Sequence, residues 1–458
     1  MKTSARPVGF IADDITGATD LASALAARGL DTRLAFGSTA VLDDSGDAIV
    51  VALKIRAVPA AEARAAAAEA AKAVLAVGVE QLFSKYCSTF DSTADGNIGP
   101  VADALIDVTG ARRVVHCPAY PGNGRTVYLG HLFVGDELLS ESPMRDHPLN
   151  PMRDSHLRRV LAAQTQRGVA LMALSTVDAG AHAISARLAE IAGRNTGAHH
   201  VVADAVWDAN IDTIADATAG DSLAAGGAVY GAAFAAAAHA RFGQSAPVIE
   251  QRPVPPPGPA AILAGSLSCA TRDQVQAFDG PTLTLGVIDL VDGDHAVHRS
   301  LEFAKRCLAG GSLLITTDYD SVGIRAGATG LSSAQVSRRI ESTMGRIGVG
   351  LVKLGVRRLI VAGGETSGAV AEALALRSAR IGPDISVGVP WLVAEDRRLA
   401  VAFKSGNFGG PSFFRDALEV ADREFDQING HATPEPPCSP TDRHTFARKF
   451  TPSHTAED

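Results

Sequence analysis

The sequence predicts an α/β fold made of two α/β domains with mostly parallel sheets and a ligand cleft between them. Three observations lead to this prediction. The chain has 458 residues, which is more than one hydrophobic core usually spans, so two domains are expected. Short apolar runs alternate with Ala-rich amphipathic stretches, which is typical of β-α-β units. A Pro-rich segment near residue 250 interrupts this alternation, which then begins again.

The N-terminal domain is predicted over residues 1–245. Its first strands are expected in VGFIADD, AIVVALK and QLFSKYCS, and the helices after them in DLASALAARG, AAEARAAAAEAAKAVLAVG and IGPVADALIDVTG. Further strands are expected in ARRVVHCPAY, GVALMALS and HHVVADAV. Because helical patterns separate the apolar runs, neighbouring strands are expected to be parallel.

A linker is predicted at residues 246–258, because QSAPVIEQRPVPPPGPA contains six prolines and cannot sustain a helix or a sheet. The second domain is predicted at 259–428, with strands in AILAGSLS, SLLITTD, RRLIVAGGE and LAVAFKSG. A long helix is expected in SSAQVSRRIESTMGRIGVGLVKLG. Residues 429–458 are polar and Pro-rich without any period, which predicts a disordered tail.

Composition limits the kind of partner. The 42 basic and 50 acidic residues give a net charge of -8, so no overall positive field attracts nucleic acid or an anionic membrane. The five cysteines are widely spaced, which indicates neither a disulfide framework nor a zinc site. Neither a signal-peptide core nor an apolar run of membrane-spanning length is present. We therefore expect a cytoplasmic protein with a small-molecule ligand, and a homodimer is left open.

Ligands of open parallel sheets bind at the carboxyl ends of the strands, so the residues after each apolar run are the first candidates. The first run ends at Asp13 and Asp14 and continues through Thr16 into a helix. Two carboxylates there could hold substrate hydroxyls, accept a proton or bind Mg²⁺. The alternative is that Asp14 or Thr16 only caps the helix. Asp13 and Asp14 are the candidate catalytic residues, and Thr16 is a candidate substrate-binding residue.

A second polar segment, KYCSTFDSTADGNIGPV, follows the strand that ends near Lys85. A lone cation among hydroxyl and carboxylate groups suits a hydroxylated carboxylic acid. Because Ser, Thr and Asp are also common in turns, an ordinary loop is the alternative. The candidate substrate-binding residues here are Lys85, Ser88, Asp91, Ser92 and Asn97.

A third segment, PAYPGNGRTVYLGHLFVGDELLSESPMRDHPLNPMRDS, is too long for a simple turn. Arg125 and Arg145 could bind a carboxylate through two hydrogen bonds each. His131 and His147 could orient hydroxyls or transfer a proton. Salt bridging at the surface is the alternative for the arginines.

The second domain contains three Gly-rich turns between a strand and a helix: AGSLSCAT, AGGETSG and KSGNFGG. Gly363 and Gly364 allow the backbone to approach a bulky anion, and a helix N-terminus after the turn favours negative charge. Three such turns in one domain favour a nucleotide. The GxxxxGK[ST], GxGxxG and HRD signatures are absent, which argues against a P-loop NTPase, a dinucleotide dehydrogenase and a protein kinase.

These motifs together resemble the four-carbon acid-sugar kinase family. The similarity rests on IADDITGATD, KYCSTFDST, GRTVYLGHLFVGD, ESPMRDHPLNPM, AGGETSGAV and KSGNFGGPSFF, in this order between about residue 8 and residue 414. The second and third of these motifs are most similar to those of the 3-oxo-tetronate kinases.

The resemblance implies transfer of a phosphoryl group from ATP, with Mg²⁺, to the 4-hydroxyl of 3-oxo-tetronate. It also implies an acid-sugar-binding N-terminal domain and a nucleotide-binding C-terminal domain. The implied ATP contacts are Ser266, with Ser268 as its alternative, and Gly363, Gly364, Glu365, Thr366 and Gly406. Three other activities stay open: a kinase of threonate or erythronate, a lyase or aldolase using Lys85 as a Schiff-base nucleophile, and a two-lobed sugar-acid-binding protein.

Overall fold

Strands and helices alternate along both halves of the chain, as the sequence predicts. The computed structural model describes residues 7–37, 46–146, 150–194, 197–241, 252–266, 268–318, 331 and 333–428. No helix within these ranges is both long and apolar enough to cross a membrane. The predicted α/β fold class is confirmed.

The N-terminal half begins with buried apolar strands, and its first parallel strands are covered by Ala-rich helices. The strands are β1 (Val8–Ala12), β2 (Thr32–Phe36), β3 (Ala48–Ala52), β4 (Gln81–Lys85), β5 (Arg113–Cys117), β6 (Arg125–Tyr128), β7 (His131–Val134), β8 (Glu137–Leu138), β9 (Val169–Met172), β10 (His199–Ala203) and β11 (Leu223–Gly226). The helices are α1 (Ile15–Ala27), α2 (Ala60–Ala76), α3 (Ile98–Thr109), α4 (Leu157–Ala162), α5 (Leu174–Asp178), α6 (Ala181–Gly193), α7 (Asp208–Thr218) and α8 (Ala228–Arg241). Strands buried on both faces, such as VGFIA and AIVVA, explain the unbroken apolar runs.

The C-terminal half repeats this plan after the Pro-rich segment. Its strands are β12 (Ala260–Ala264), β13 (Thr282–Leu285), β14 (Ser312–Thr317), β15 (Arg358–Ala362), β16 (Ser378–Ser386), β17 (Val389–Ala394) and β18 (Ala400–Lys404). Its helices are α9 (Cys269–Gln276), α10 (Val287–Asp292), α11 (Asp294–Cys307), α12 (Ser333–Lys353), α13 (Gly364–Ala373) and α14 (Phe413–Ile428).

Within the described residues, one continuous sheet of 15 strands joins the two halves, in the order β13-β14-β12-β15-β18-β17-β16-β2-β3-β1-β4-β11-β5-β10-β9. Its pairs are parallel except around β16 and β17, an antiparallel hairpin that the sequence patterns do not predict. The two halves meet where β16 pairs with β2, with Ala379 opposite Leu34. The sheet is therefore shared, and the β16–β17 hairpin connects the halves.

The twist of this sheet explains how the two halves can meet at their carboxyl ends. Because the three antiparallel pairings reverse direction, β15 would run opposite to β1 in a flat sheet. Six strand-to-strand steps separate β1 from β15, and at roughly 20–25° a step they amount to a rotation of about 120–150°. A rotation of this size turns the carboxyl end of β15 back towards that of β1.

The predicted domain boundaries stay predictions, although the chain changes element at the expected place. Helix α8 ends at Arg241 and β12 begins at Ala260. Part of the predicted linker, residues 246–251, and the predicted tail, residues 429–458, lie outside the described residues.

Candidate active site

The carboxyl ends of β1, β3 and β4 bring together Asp13, Asp14, Arg56 and Lys85. These strands are neighbours, with β1 between β3 and β4. Arg56 binds Asp13 through two hydrogen bonds, Nε to Oδ2 at 2.9 Å and Nη2 to Oδ1 at 2.8 Å. Nη2 also donates to Asp14 Oδ1 at 2.7 Å. One guanidinium therefore holds both carboxylates that the sequence predicts to be catalytic.

Asp14 is the N-cap of α1 as well as a site carboxylate. Its Oδ1 accepts from the Gly17 backbone N–H at 2.8 Å, and its Oδ2 accepts from Thr16 Oγ1 at 2.7 Å. Burial opposes ionisation of Asp14. The positive charges of Arg56 and Lys85, together with these hydrogen bonds, nevertheless keep its pKa below the ordinary value. The capping role left open by the sequence is thus present, and it fixes an ionised carboxylate in place.

Asp13 differs from Asp14 in the direction of its pKa shift. Burial raises the pKa of Asp13 above its ordinary value, and this outweighs the attraction of Arg56. Both oxygens of Asp13 are bound by Arg56, whereas among the described residues Asp14 Oδ2 accepts from Thr16 alone. The two adjacent aspartates are therefore chemically distinct, and Asp14 is the stronger candidate for contact with substrate.

Lys85 is almost fully buried beside these carboxylates, at 2% exposure. Its Nζ donates to the Tyr86 carbonyl at 2.9 Å. A β-carbon on Gly17 would clash with Asp14 Oδ1 and lie 3.1 Å from Lys85 Nζ. Glycine at position 17 therefore leaves the space in which the ammonium and the carboxylate approach each other.

The loop after β4 supplies further walls of the site. One small cavity is lined by five residues that the sequence singles out, Asp13, Lys85, Asp91, Ser92 and Asn97, together with Arg56. Ser88 is half-buried in the same loop.

Ser92 and Asn97 also stabilise the loops around the site through hydrogen bonds. Ser92 Oγ accepts from Gln164 Nε2 at 2.9 Å and lies 3.4 Å from the Ile98 backbone N–H. Asn97 Nδ2 donates to the carbonyls of Ile55 and Val58, both at 2.8 Å, and so holds the loop that carries Arg56. Their predicted contacts with substrate stay predictions.

The long Gly- and Pro-rich segment forms a separate small sheet of β6, β7 and β8. Arg125, at the start of β6, is half-buried and its Nη1 donates to the Asn123 carbonyl. The ring of His131 packs edge-on against that of His156, with centroids 4.7 Å apart, and Arg145 is exposed. No hydrogen bond or ion pair between described residues connects His131 or Arg145 to Asp14 or Lys85. His147 lies outside the described residues.

The three Gly-rich turns of the C-terminal half lie side by side, because β12, β15 and β18 are neighbours. The Gly363 N–H donates to the Lys404 carbonyl at 2.8 Å, and Gly363 has a φ of +123°. A β-carbon on Gly363 would lie 3.2 Å from the Ser266 backbone nitrogen, and one on Gly406 would clash with Ser266 Oγ. Glycine is therefore required for the turns to approach one another beside the N-terminus of α13, a suitable cradle for phosphate groups.

Ser266 and Ser268, which the sequence does not distinguish, have different environments. Ser268 Oγ donates to the Gly406 carbonyl at 2.6 Å and caps α9 by accepting from the Thr271 N–H at 3.2 Å. Ser266 lies between Gly363 and Gly406. This arrangement favours Ser266 as the nucleotide contact, and that assignment stays a prediction.

Lys404 holds the third turn from beneath. It is fully buried, and its Nζ donates to the carbonyls of Ser405, Gly406 and Phe408 at 2.8–3.0 Å and to Thr271 Oγ1 at 3.2 Å. Burial lowers the pKa of Lys404 to about 7. Lys404 therefore fixes the backbone around Gly406.

The candidate acid-binding residues and the Gly-rich turns of the C-terminal half meet where α1 faces α13. A β-carbon on Gly364 would lie 3.8 Å from Thr16 Oγ1 and 3.9 Å from Asp14 Oδ2. Lys54, which follows β3, pairs with Glu341 at 2.6 Å and with Glu365 at 3.5 Å. The candidate acid-binding residues thus lie directly beside the candidate phosphate-binding turn.

The sequence analysis does not single out Arg56 and Lys54. The apolar run AIVVALK predicts a strand through Lys54, but β3 ends at Ala52, so the residues after Ala52 belong to the strand-end loop. Arg56 lies only two residues beyond that run.

Comparison with known proteins identifies the family to which this chain belongs. Residues 8–238 match the family model described as a sugar-binding N-terminal domain, and residues 261–414 match a nucleotide-binding C-terminal domain. Relatives named 3-oxo-tetronate kinase from Cupriavidus necator and Methylobacterium radiotolerans are 42% and 44% identical. The alignments cover 93% and 90% of this chain and 98% and 99% of those proteins. The chain belongs to the four-carbon acid sugar kinase family.

Membership of the four-carbon acid sugar kinase family confirms the resemblance predicted from sequence. A solved structure from Salmonella typhimurium LT2 is similar throughout, with a TM-score of 0.79 at 36% identity over 90% of this chain and 98% of that one. A protein from Haemophilus influenzae gives a TM-score of 0.72 at 37% identity, over 90% and 100%. This chain is accordingly a phosphotransferase with a hydroxyl acceptor, and its C-terminal domain serves the nucleotide.

Proposed function

We propose that this protein is an ATP-dependent kinase of 3-oxo-tetronate that forms 3-oxo-tetronate 4-phosphate. The observation that carries the proposal is the identity of 42–44% over at least 90% of the chain with several relatives that bear the name of this activity. The geometry agrees, because acid-binding groups and Gly-rich turns meet at Asp14 and Gly364.

In the proposed reaction, the 4-hydroxyl oxygen of the acid sugar forms a bond to the γ-phosphorus of ATP. The bond from that phosphorus to the bridging oxygen breaks, and ADP leaves with the bonding electrons. Asp14 Oδ2 orients the hydroxyl and accepts its proton, since it is the site carboxylate oxygen beside Gly364. Phosphoryl transfer depends mainly on position and charge, so an ionised Asp14 is sufficient for this role.

The remaining residues bind and orient. Lys85 and Arg125 attract the carboxylate of the acid sugar, and Arg56 keeps Asp13 and Asp14 in place. Ser266, Gly363–Thr366 and Gly406 hold the ATP phosphates through backbone N–H and hydroxyl groups. A cleft between the halves would exclude water from the phosphoryl group.

The proposed reaction uses Mg²⁺ bound together with ATP. Within the described ranges, no group of three or more His, Cys, Asp or Glu side chains is arranged to hold a metal. Mg²⁺ in nucleotide sites usually binds the phosphates, water and one or two carboxylates, so the ATP phosphates would supply most of its ligands. The ion would neutralise charge on the phosphates.

A Schiff-base lyase is less well supported than a kinase. Such an enzyme requires an uncharged lysine in an apolar pocket, whereas Lys85 lies beside Asp14 in a charged cluster. Kinases of threonate or erythronate would use the same groups and differ only at the third carbon. A comparison of kcat/KM for threonate, erythronate and 3-oxo-tetronate distinguishes these kinases from the proposed one.

The test is ADP release by the purified protein with ATP and Mg²⁺, across both enantiomers of 3-oxo-tetronate, threonate and erythronate. We expect the highest kcat/KM for a 3-oxo-tetronate and a phosphate monoester at carbon 4, identified by phosphorus and carbon NMR. Faster turnover of threonate or erythronate would replace the proposed substrate. A borohydride-trapped adduct at Lys85 without ADP release would overturn the kinase assignment. Cytoplasmic location stays a prediction.

A further inference from the structure

On one face of α1, three of the buried polar residues lie against the C-terminal half. They are Thr16, Asp20 and Ser23, spaced by four and three residues, and each is at most 9% exposed. Thr16 lies beside Gly364, and Ser23 Oγ donates to Asp384 Oδ1 at 2.6 Å. Asp20 lies between them and opposite Gly388, whose β-carbon would lie 2.6 Å from Asp20 Oδ1.

Asp20 differs from its neighbours on this face because its carboxylate is unsatisfied. Asp20 is 8% exposed, and its buried Oδ1 accepts no hydrogen bond from any residue in the described ranges. Burial raises the pKa of Asp20 to about 6, although Lys85 acts in the opposite direction. A buried carboxylate without a donor is costly, so a residue of this kind needs a reason beyond the fold.

Within the described ranges, Arg125 has a hydrogen-bond donor without an acceptor, whereas Asp20 has an acceptor without a donor. The Nε of Arg125 is buried and has no acceptor among the described residues. Asp20 and Arg125 are close enough to influence each other electrostatically, yet they form no ion pair. An acidic and a basic group that each keep an unused hydrogen-bonding atom suit a ligand that has both a hydroxyl and a carboxylate.

We propose that Asp20 belongs to the acid-sugar site and accepts a hydrogen bond from the 2-hydroxyl of the substrate. This assignment rests on the proposed function. The substrate carboxylate is repelled by Asp20 and attracted by Lys85 and Arg125, so the three residues together orient the acid sugar. Asp14 is then left to bind the 4-hydroxyl at the nucleotide turn.

The test compares Asp20→Asn with Ser23→Ala, a matched change one turn further along the same face. In the ADP-release assay we expect Asp20→Asn to raise the KM for 3-oxo-tetronate by roughly 10-fold or more, because an uncharged amide oxygen replaces the carboxylate and the charge-assisted hydrogen bond is lost. Its KM for ATP should change less than about twofold. Ser23→Ala should keep both values, and thermal melting would verify that each variant is folded.

A second measurement separates a substrate contact from a structural role. The wild-type protein should discriminate strongly against 4-hydroxy-3-oxobutanoate, which lacks the 2-hydroxyl, and Asp20→Asn and Asp20→Ala should lose most of that discrimination. Wild-type kinetics in a folded Asp20→Asn, or unchanged discrimination, would overturn the assignment of Asp20 alone. Absence of ADP release by the wild type with 3-oxo-tetronate would overturn the proposed function, and this assignment with it.

Discussion

Asp14 Oδ2 faces Gly364, the first residue of α13, at 3.9 Å from the position that a β-carbon there would take. This is ordinary van der Waals separation, so alanine at position 364 should fold normally. Its methyl group would nevertheless occupy the space between the carboxylate and the phosphate-binding turn. We expect Gly364→Ala to lower kcat by roughly 10-fold or more, because a small displacement of reacting groups is costly.

The control for that variant is Gly193→Ala at the end of α6, where a β-carbon meets open space. It should have wild-type kcat and stability in the same ADP-release and melting measurements. Unchanged kcat in Gly364→Ala would show that the reacting groups meet elsewhere.

Asp14→Asn and Asp13→Asn should have unequal effects. Asp14 Oδ2 accepts from Thr16 and keeps a second acceptor position for the hydroxyl, so replacement of Asp14 should lower kcat by about 10²–10⁴-fold with little change in the KM for ATP. Asp13 acts through Arg56, so Asp13→Asn should have the smaller effect. Steady-state kinetics would measure both, and a larger loss for Asp13→Asn would reverse the assignment.

Arg56→Met should damage both stability and catalysis. It leaves Asp13 and Asp14 buried without their cation, and the loss of one partner of a buried ion pair typically costs about 3–5 kcal/mol. The exposed pair of Arg28 with Asp212 is the control, and Arg28→Met should cost less than about 1 kcal/mol. Urea denaturation would measure both.

The same variant should also change the pH dependence of turnover. Arg56 lowers the pKa of Asp14, so its removal raises that pKa and protonates Asp14 at a higher pH. Because the ionised form orients the hydroxyl, the acid limb of kcat should move to higher pH in Arg56→Met. An unmoved limb would exclude Asp14 as the titrating group.

Asp20→Asn should stabilise the protein at neutral pH even though it weakens substrate binding. Below the ordinary pKa of 3.8 the carboxyl is neutral in the folded and the unfolded chain. As the pH rises towards 6, the unfolded chain ionises first, so wild-type stability is lost progressively. The shift of roughly two pH units corresponds to about 3 kcal/mol. Urea denaturation should show Asp20→Asn more stable above about pH 7, with the difference disappearing near pH 4.

Lys404→Met should weaken nucleotide binding and leave the acid sugar unaffected. Four oxygen atoms around Gly406 lose their common donor, so the third Gly-rich turn should lose its fixed conformation. We expect the KM for ATP to rise by roughly 10-fold, and the KM for acid sugar by less than twofold. Lys353→Met, an exposed change at the end of α12, is the control. Equal effects on both substrates would indicate general loss of structure.

The sequence predicts those parts of the site that follow directly from strands. Asp13, Asp14, Lys85 and the Gly-rich turns all stand at strand ends, where a parallel sheet binds ligands. The sequence does not predict Arg56 as a site residue, because an apolar run does not show which of its residues is the last one in the strand. Strand β3 ends at Ala52. The pattern of one chain does not reveal tertiary distances, so Asp20 does not stand out in the sequence from the other polar residues of α1.

The sequence also does not predict that the two halves share one continuous sheet. Alternation of strands and helices predicts two α/β units, but the pairing of β16 with β2 is between residues more than 340 positions apart along the chain. No local pattern encodes such a pair. The homodimer left open by the sequence stays a prediction.

The continuous sheet constrains how this protein can change during evolution. A nucleotide-binding half taken from another chain would have to supply a strand matching the edge of β2 and a glycine opposite Asp20. Exchange of either half for an unrelated one would leave a row of unpaired backbone groups at the break, a known cause of aggregation. The acid-sugar half and the nucleotide half should therefore be inherited together, and new substrate preferences should arise by substitutions within the site rather than by recombination of domains.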